Sequence, residues 1–143
     1  MSFSVKTPED SPGFMLWRLT CQWQREQRNA LKKLGLTHPQ FVVLASVLWL
    51  SMHSEDCVTQ KHIVSHSNID KMSMSDLVTT LEEKKLLKRM PHKKDGRADS
   101  LTLTAKGRER ALKAIPIVEG IDATFFKKEE TRVRLFVKSL QYT

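Results

Sequence analysis

Between Lys84 and Arg97 stand seven basic side chains, Lys84, Lys85, Lys88, Arg89, Lys93, Lys94 and Arg97, against a single acid, Asp95. Cations at this density suit a polyanion, because each phosphate neutralised by Lys or Arg releases condensed counterions and gives steered, salt-sensitive binding. The whole chain of 143 residues has 24 Lys and Arg against 16 Asp and Glu, a formal charge of +8, so one short stretch holds most of the excess. A solvated surface loop would carry such a run without any partner, and the position of the run among the secondary-structure elements therefore decides its meaning. Within it, Arg97 sits in the loop Lys93-Lys94-Asp95-Gly96-Arg97, where a guanidinium suits a narrow, electronegative minor groove.

Other reactive side chains are sparser. His53, Cys57, His62 and His66 include a histidine pair four residues apart, a spacing that makes zinc chemically conceivable, although helix-borne histidines facing solvent or phosphate are the simpler reading. Cys21 lies between Arg18 and Arg25 and is a candidate redox thiol, with inert packing the favoured alternative. Neither a glycine-rich phosphate loop, a nucleophile elbow nor a pair of catalytic carboxylates is recognisable, so an enzyme is not expected, and neither is a metal or a cofactor. Two cysteines and an N-terminus with Glu9 and Asp10 ahead of its first apolar patch fit a reducing, cytoplasmic setting with free thiols. The longest apolar stretch, Phe41 to Leu50, is too short to span a membrane and reads as a buried helix.

The elements that must position the basic run follow from periodicity and capping. Leu16, Leu19, Trp23, Ala30, Leu31 and Leu34 recur at helical spacing through residues 14–34, until Gly35. Thr37-His38-Pro39-Gln40 has the form of a capping box opening a second, central helix. Thr59 caps a third helix to about His66, and Asp70 a fourth to about Lys85, across the short turn Ser67-Asn68. In the fourth, Met74, Leu77, Val78 and Leu81 form an apolar stripe while Met72, Ser75, Asp76 and Thr79 fall on another face. Leu86 to Met90 and Ser100 to Thr104 read as the two strands of a basic-tipped hairpin. Thr104 caps a fifth helix to about Phe126, kinked at Pro116, and a sixth spans about Glu129 to Gln141. The expected fold is thus mainly α with a small β-hairpin, and a two-helix turn followed at once by a hairpin is the order of a winged helix-turn-helix.

Along nearly its whole length the chain resembles the multiple antibiotic resistance regulator (MarR) family of winged-helix regulators. The resemblance is carried by Leu36-Thr37-His38-Pro39-Gln40-Phe41, by Asp70 through Arg89, and by the wing signature Asp95-Gly96-Arg97 followed by Leu103-Thr104-Ala105-Lys106-Gly107. It implies a single domain with dimerisation helices at residues 14–34 and 105–143 and a DNA-binding lobe at 36–104. It further implies a cytoplasmic homodimeric repressor that binds double-stranded DNA at a pseudo-palindromic operator, has no membrane role, and responds to a small-molecule effector. Lys71, Ser73, Ser75, Asp76 and Thr79 on the recognition helix, with Lys93, Lys94 and Arg97 on the wing, are the expected DNA contacts, and Trp17, His38 and Trp49 the expected neighbours of an effector.

Two positions depart from the family pattern. Lys85 stands where most relatives have glycine, and Asp76 where many have arginine. An acid there repels phosphate but can accept a hydrogen bond from cytosine N4. The alternative from another functional class is a winged-helix module that binds protein instead of DNA and has no need of a basic wing.

Overall fold

Thr37, Thr59, Asp70 and Thr104 each begin a helix in the computed structural model, which describes residues 2–91 and 99–141. Thr37 Oγ1 accepts from the Gln40 amide at 3.2 Å while Gln40 Oε1 accepts from the Thr37 amide at 3.1 Å, a reciprocal pair that satisfies two otherwise orphaned donors. Thr104 Oγ1 accepts from the Gly107 amide at 2.9 Å and donates to Lys85 O at 2.7 Å. The elements run α1 (Pro12–Leu31), α2 (His38–His53), α3 (Gln60–Ser67), α4 (Lys71–Glu83), β1 (Leu87–Pro91), β2 (Asp99–Leu103), α5 (Ala105–Phe126) and α6 (Glu130–Gln141). Helix α1 opens two residues before the apolar periodicity does, because Ser11 caps it and Pro12, which has no N–H to leave unpaired, fills its first position. Pro116 lies within α5 without dividing it.

The core is built around α2. Val43, Leu44 and Val47 are buried there against Leu31 of α1, Ile63 of α3, Met74, Val78 and Leu81 of α4, and Ala111 and Ala114 of α5. The burial stops at Leu48. Trp49 and Met52, in the last turns of α2, are exposed, so the helix is central only along most of its length. In the hairpin, Leu87 pairs with Leu103 and Arg89 with Leu101, antiparallel. The Leu101 amide also donates to Val58 O at 2.7 Å, which pins β2 to the segment before α3. At the other end of the chain, α6 buries no side chain, and Leu135, Phe136 and Leu140 are more than half exposed. Among the described residues no single helix is long and apolar enough to cross a membrane.

Two helix ends share one stop signal with different residues in it. At the end of α1, Gly35 has φ +66° and the Leu36 amide reaches back to Leu31 O. After α4, Lys85 has φ +61° and the Leu86 amide donates to Leu81 O at 2.9 Å, with Leu81 and Leu86 both buried. This six-residue closure needs a left-handed residue at its penultimate position, where glycine meets no Cβ penalty and lysine does. The same closure starts β1 at Leu87, one residue later than the apolar pattern indicates, since Leu86 belongs to the turn. Replacement of Lys85 by glycine should therefore stabilise the protein by about 0.5–1 kcal/mol, read as a higher urea midpoint at constant slope.

Candidate nucleic-acid interface

The turn between α3 and α4 sets the outward face of α4. Asn68 ends α3 in the left-handed region at φ +60°, a conformation asparagine tolerates, and Ile69 follows half-buried against the core. Ser67 Oγ donates to Ile63 O at 2.7 Å and accepts from the Ile69 amide at 3.2 Å, so one hydroxyl braces both arms of the turn. Asp70 then caps α4, accepting from the Ser73 amide at 2.8 Å and from Ser73 Oγ at 2.7 Å. These donors hold the Asp70 carboxyl below its ordinary pKa, the backbone N–H being the larger cause.

With Met74, Val78 and Leu81 buried and Leu77 half-buried, α4 turns Lys71, Met72, Ser73, Ser75, Asp76 and Thr79 to solvent. All five α4 residues expected to touch DNA thus share one exposed surface. Two of them are tied into the scaffold: the Ser73 hydroxyl serves Asp70, and Ser75 Oγ accepts from Gln60 Nε2 of α3 at 2.9 Å. Lys93, Lys94 and Arg97 lie outside the described residues.

The basic run divides into free and engaged charges. Lys84 Nζ donates to Gly35 O and to Gln40 Oε1, each at 2.9 Å, joining the end of α4 to the turn between α1 and α2. Arg110 of α5 donates to Leu34 O in the same turn. Arg89 meets Glu82 at 2.9 Å and Asp99 at 3.8 Å. Lys84 and Arg89 are thus structural cations, a distinction that charge counting cannot make, whereas Lys85 and Lys88 point outward.

The three aromatic and imidazole side chains considered for an effector are not gathered at one place. Trp17 is exposed on α1. Trp49, also exposed, stacks on His53 at 3.8 Å and lines a cavity of about 510 Å³ between α2 and α5, together with Phe41, Val42, Ile115 and Val118. His38 is half-buried elsewhere, edge-on to Trp23 at 5.0 Å. Burial lowers its pKa and the Asp122 carboxylate opposes that shift. Asp122 Oδ1 accepts from Trp23 Nε1 at 2.7 Å and from Gln27 Nε2 at 2.9 Å, a brace between α1 and α5 that no sequence pattern marked. Gln27 is fully buried, and among the described residues nothing donates to its Oε1.

Of the residues weighed for zinc, His53 Nδ1 contacts Trp49 O at 2.8 Å and His62 Nδ1 accepts from the Thr59 amide at 3.2 Å. Among the described residues no three His, Cys, Asp or Glu side chains are grouped as a metal site would require. Cys21 and Cys57 are free, half-buried thiols.

Residues 36–98, which hold the helix-turn-helix and the first strand of the wing, match the MarR family model. The HTH-type transcriptional regulator YdcH of Bacillus subtilis is 44% identical over 119 residues, covering 83% of this chain and 80% of that protein. The chain belongs to the MarR family. Among solved structures, the MarR-family protein Rv2887 of Mycobacterium tuberculosis, in complex with salicylic acid, is 26% identical with a TM-score of 0.66, over 91% of this chain and 96% of that one. A mutant MarR of E. coli complexed with operator DNA superposes with a TM-score of 0.81 at 19% identity, over 98% of this chain and 100% of that one. The left-handed Lys85 has a physical reading: glycine is the residue that this closure favours.

Proposed function

We propose that this MarR-family chain is a cytoplasmic transcriptional regulator that binds double-stranded operator DNA as a homodimer. The observation that carries the reading is the solvent-facing surface of α4, from Lys71 to Thr79, beside a basic wing. Lys71 and Thr79 contact the sugar-phosphate backbone, Ser73 and Ser75 hold the helix in place while lying against DNA, and Asp76 faces base edges. Lys93, Lys94 and Arg97 of the wing reach the flanking backbone and minor groove. The E. coli relative of the same fold, complexed with operator DNA, supports DNA as the partner.

The dimer is assigned to the ends of the chain, residues 14–34 and 105–143, with residues 36–104 as the DNA-binding lobe. Support comes from Leu16 and Trp17 on α1 and Leu135, Phe136 and Leu140 on α6, large apolar side chains that are more than half exposed at the two ends of the chain. The cavity between α2 and α5, with Trp49 at its edge, is the candidate place for a small-molecule effector, in keeping with the relative solved with salicylic acid.

The test is fluorescence anisotropy against the protein's own upstream DNA and against scrambled duplex from 50 to 200 mM salt. Tighter binding to the upstream DNA, falling by a factor on the order of 10³ across that range, is the expected result. Arg97→Ala should weaken it by about tenfold with an unchanged melting temperature. Failure of both duplexes to bind at low salt would make this a winged-helix module for protein partners.

A further inference from the structure

We propose that Met72 and Asp76 read a thymine and a cytosine in the major groove, so that each half-site carries these two pyrimidines within about two base steps of one another. The inference rests on the DNA-binding reading above and specifies what the recognition helix prefers. Met72 is 79% exposed; apart from Phe3 in the N-terminal arm, no other large apolar side chain among the described residues is as exposed. Most of the remaining apolar side chains at the surface lie on α1 and α6 and at the end of α2, with Met90 on β1 and Leu112 on α5 less exposed than Met72. Met72 stands apart from these groups, on the first turn of α4, with Lys71, Ser73, Ser75 and Asp76 around it. The first turn of a recognition helix is the part that reaches base edges.

The neighbouring hydroxyls are drawn into the scaffold, with Ser73 spending its proton there and Ser75 retaining its own. Ser73 donates to Asp70 and Ser75 accepts from Gln60, whereas Asp76 makes no hydrogen bond or ion pair with any described residue. Met72 and Asp76 are four residues apart, on one face of the helix and about 6 Å along its axis. That distance corresponds to about two base-pair steps.

The chemistry of the groove then selects the bases. A thioether side chain donates no hydrogen bond, and the one apolar group on the major-groove edge is the thymine 5-methyl. Methionine, long and unbranched, adapts to such a contact. A carboxylate only accepts, so it is repelled by guanine O6 and N7 and satisfied by cytosine N4–H. Adenine offers N6–H as well, but its adjacent N7 faces the second carboxylate oxygen unfavourably.

The experiment selects duplexes from a random 26-base-pair library with the full-length protein, then measures anisotropy with the selected duplex and its variants. Wild-type protein is expected to enrich a thymine and a cytosine at that spacing in each half-site. Deoxyuridine in place of the thymine, which removes only the 5-methyl, should weaken binding about fourfold, as loss of one buried methyl implies. Met72→Ala should bind both duplexes alike, and Asp76→Asn should relax the choice at the cytosine. Both positions are exposed, so unchanged thermal melting will show that the variants remain folded. A tightly bound selected duplex that is indifferent to deoxyuridine at every thymine, or a Met72→Ala variant that still discriminates, would overturn the inference and leave the regulator reading intact. Absence of any enriched or bound duplex would overturn both.

Discussion

Substitution of the buried Gly107 by alanine should cost about 3 kcal/mol or more of stability. A Cβ built on Gly107 would lie 1.9 Å from Leu86 O and 2.8 Å from its carbonyl carbon, inside backbone that has no rotamer with which to escape. That carbonyl also accepts from the Thr104 amide at 3.1 Å, and Thr104 Oγ1 holds Lys85 O. The first turn of α5 is thus clamped directly on the turn between α4 and the wing. Relief of the clash must lift α5 away or break the clamp, and either changes how the wing is set against α4. Urea denaturation gives the stability, and the expected change is a fall in midpoint with α4 and the wing loosened together. A loss under about 1 kcal/mol would mean that α5 does not seat this closely on Leu86.

The second large effect is expected at Asp122. Replacing it with alanine removes the acceptor shared by Trp23 Nε1 and Gln27 Nε2, leaving the half-buried indole N–H without its partner and Gln27 Nε2 with only Val118 O at 3.3 Å. Hydrogen bonds to a charged group contribute about 1.5–3 kcal/mol each, and partial exposure of Asp122 reduces the pair to about 2–4 kcal/mol together. The melting temperature should fall by about 8–15 °C. Asp122→Asn keeps an acceptor oxygen in place and should cost less than half as much. A double-mutant cycle with Trp23→Phe isolates the indole bond, and a coupling near zero would show that the brace does not act as a unit.

Much of the architecture was legible before any coordinates. The caps at Thr37, Thr59, Asp70 and Thr104 were readable because a short polar side chain followed by a periodic apolar run is a local pattern with a local cause. The outward face of α4 followed from the spacing of Met74, Val78 and Leu81, and the family from the order of helix turn and wing. Residues 14–34 read as one helix, which the structure divides into α1 and a short 3-10 turn at Lys32–Leu34, a difference that periodicity alone does not resolve. The α4 residues expected to touch DNA came out exposed for the same reason that the helix forms, since burial on one side of a 3.6-residue period leaves the other side free.

What the sequence by itself determined was therefore local: where helices start, which stripe each buries, and that excess charge collects after α4. Only the tertiary structure decided which charges are available. Lys84 reaches Gly35 and Gln40, more than forty residues away, and Arg89 finds Glu82 and Asp99, whereas Lys88 is exposed and pairs with no described residue. Likewise Trp23, Gln27 and Asp122 meet across about a hundred residues of chain, and Gly107 is required by a carbonyl that only folding brings beneath it. Hydrogen-bond partners and steric contacts at that separation depend on how helices cross, a property of the packed whole that no short window of residues contains.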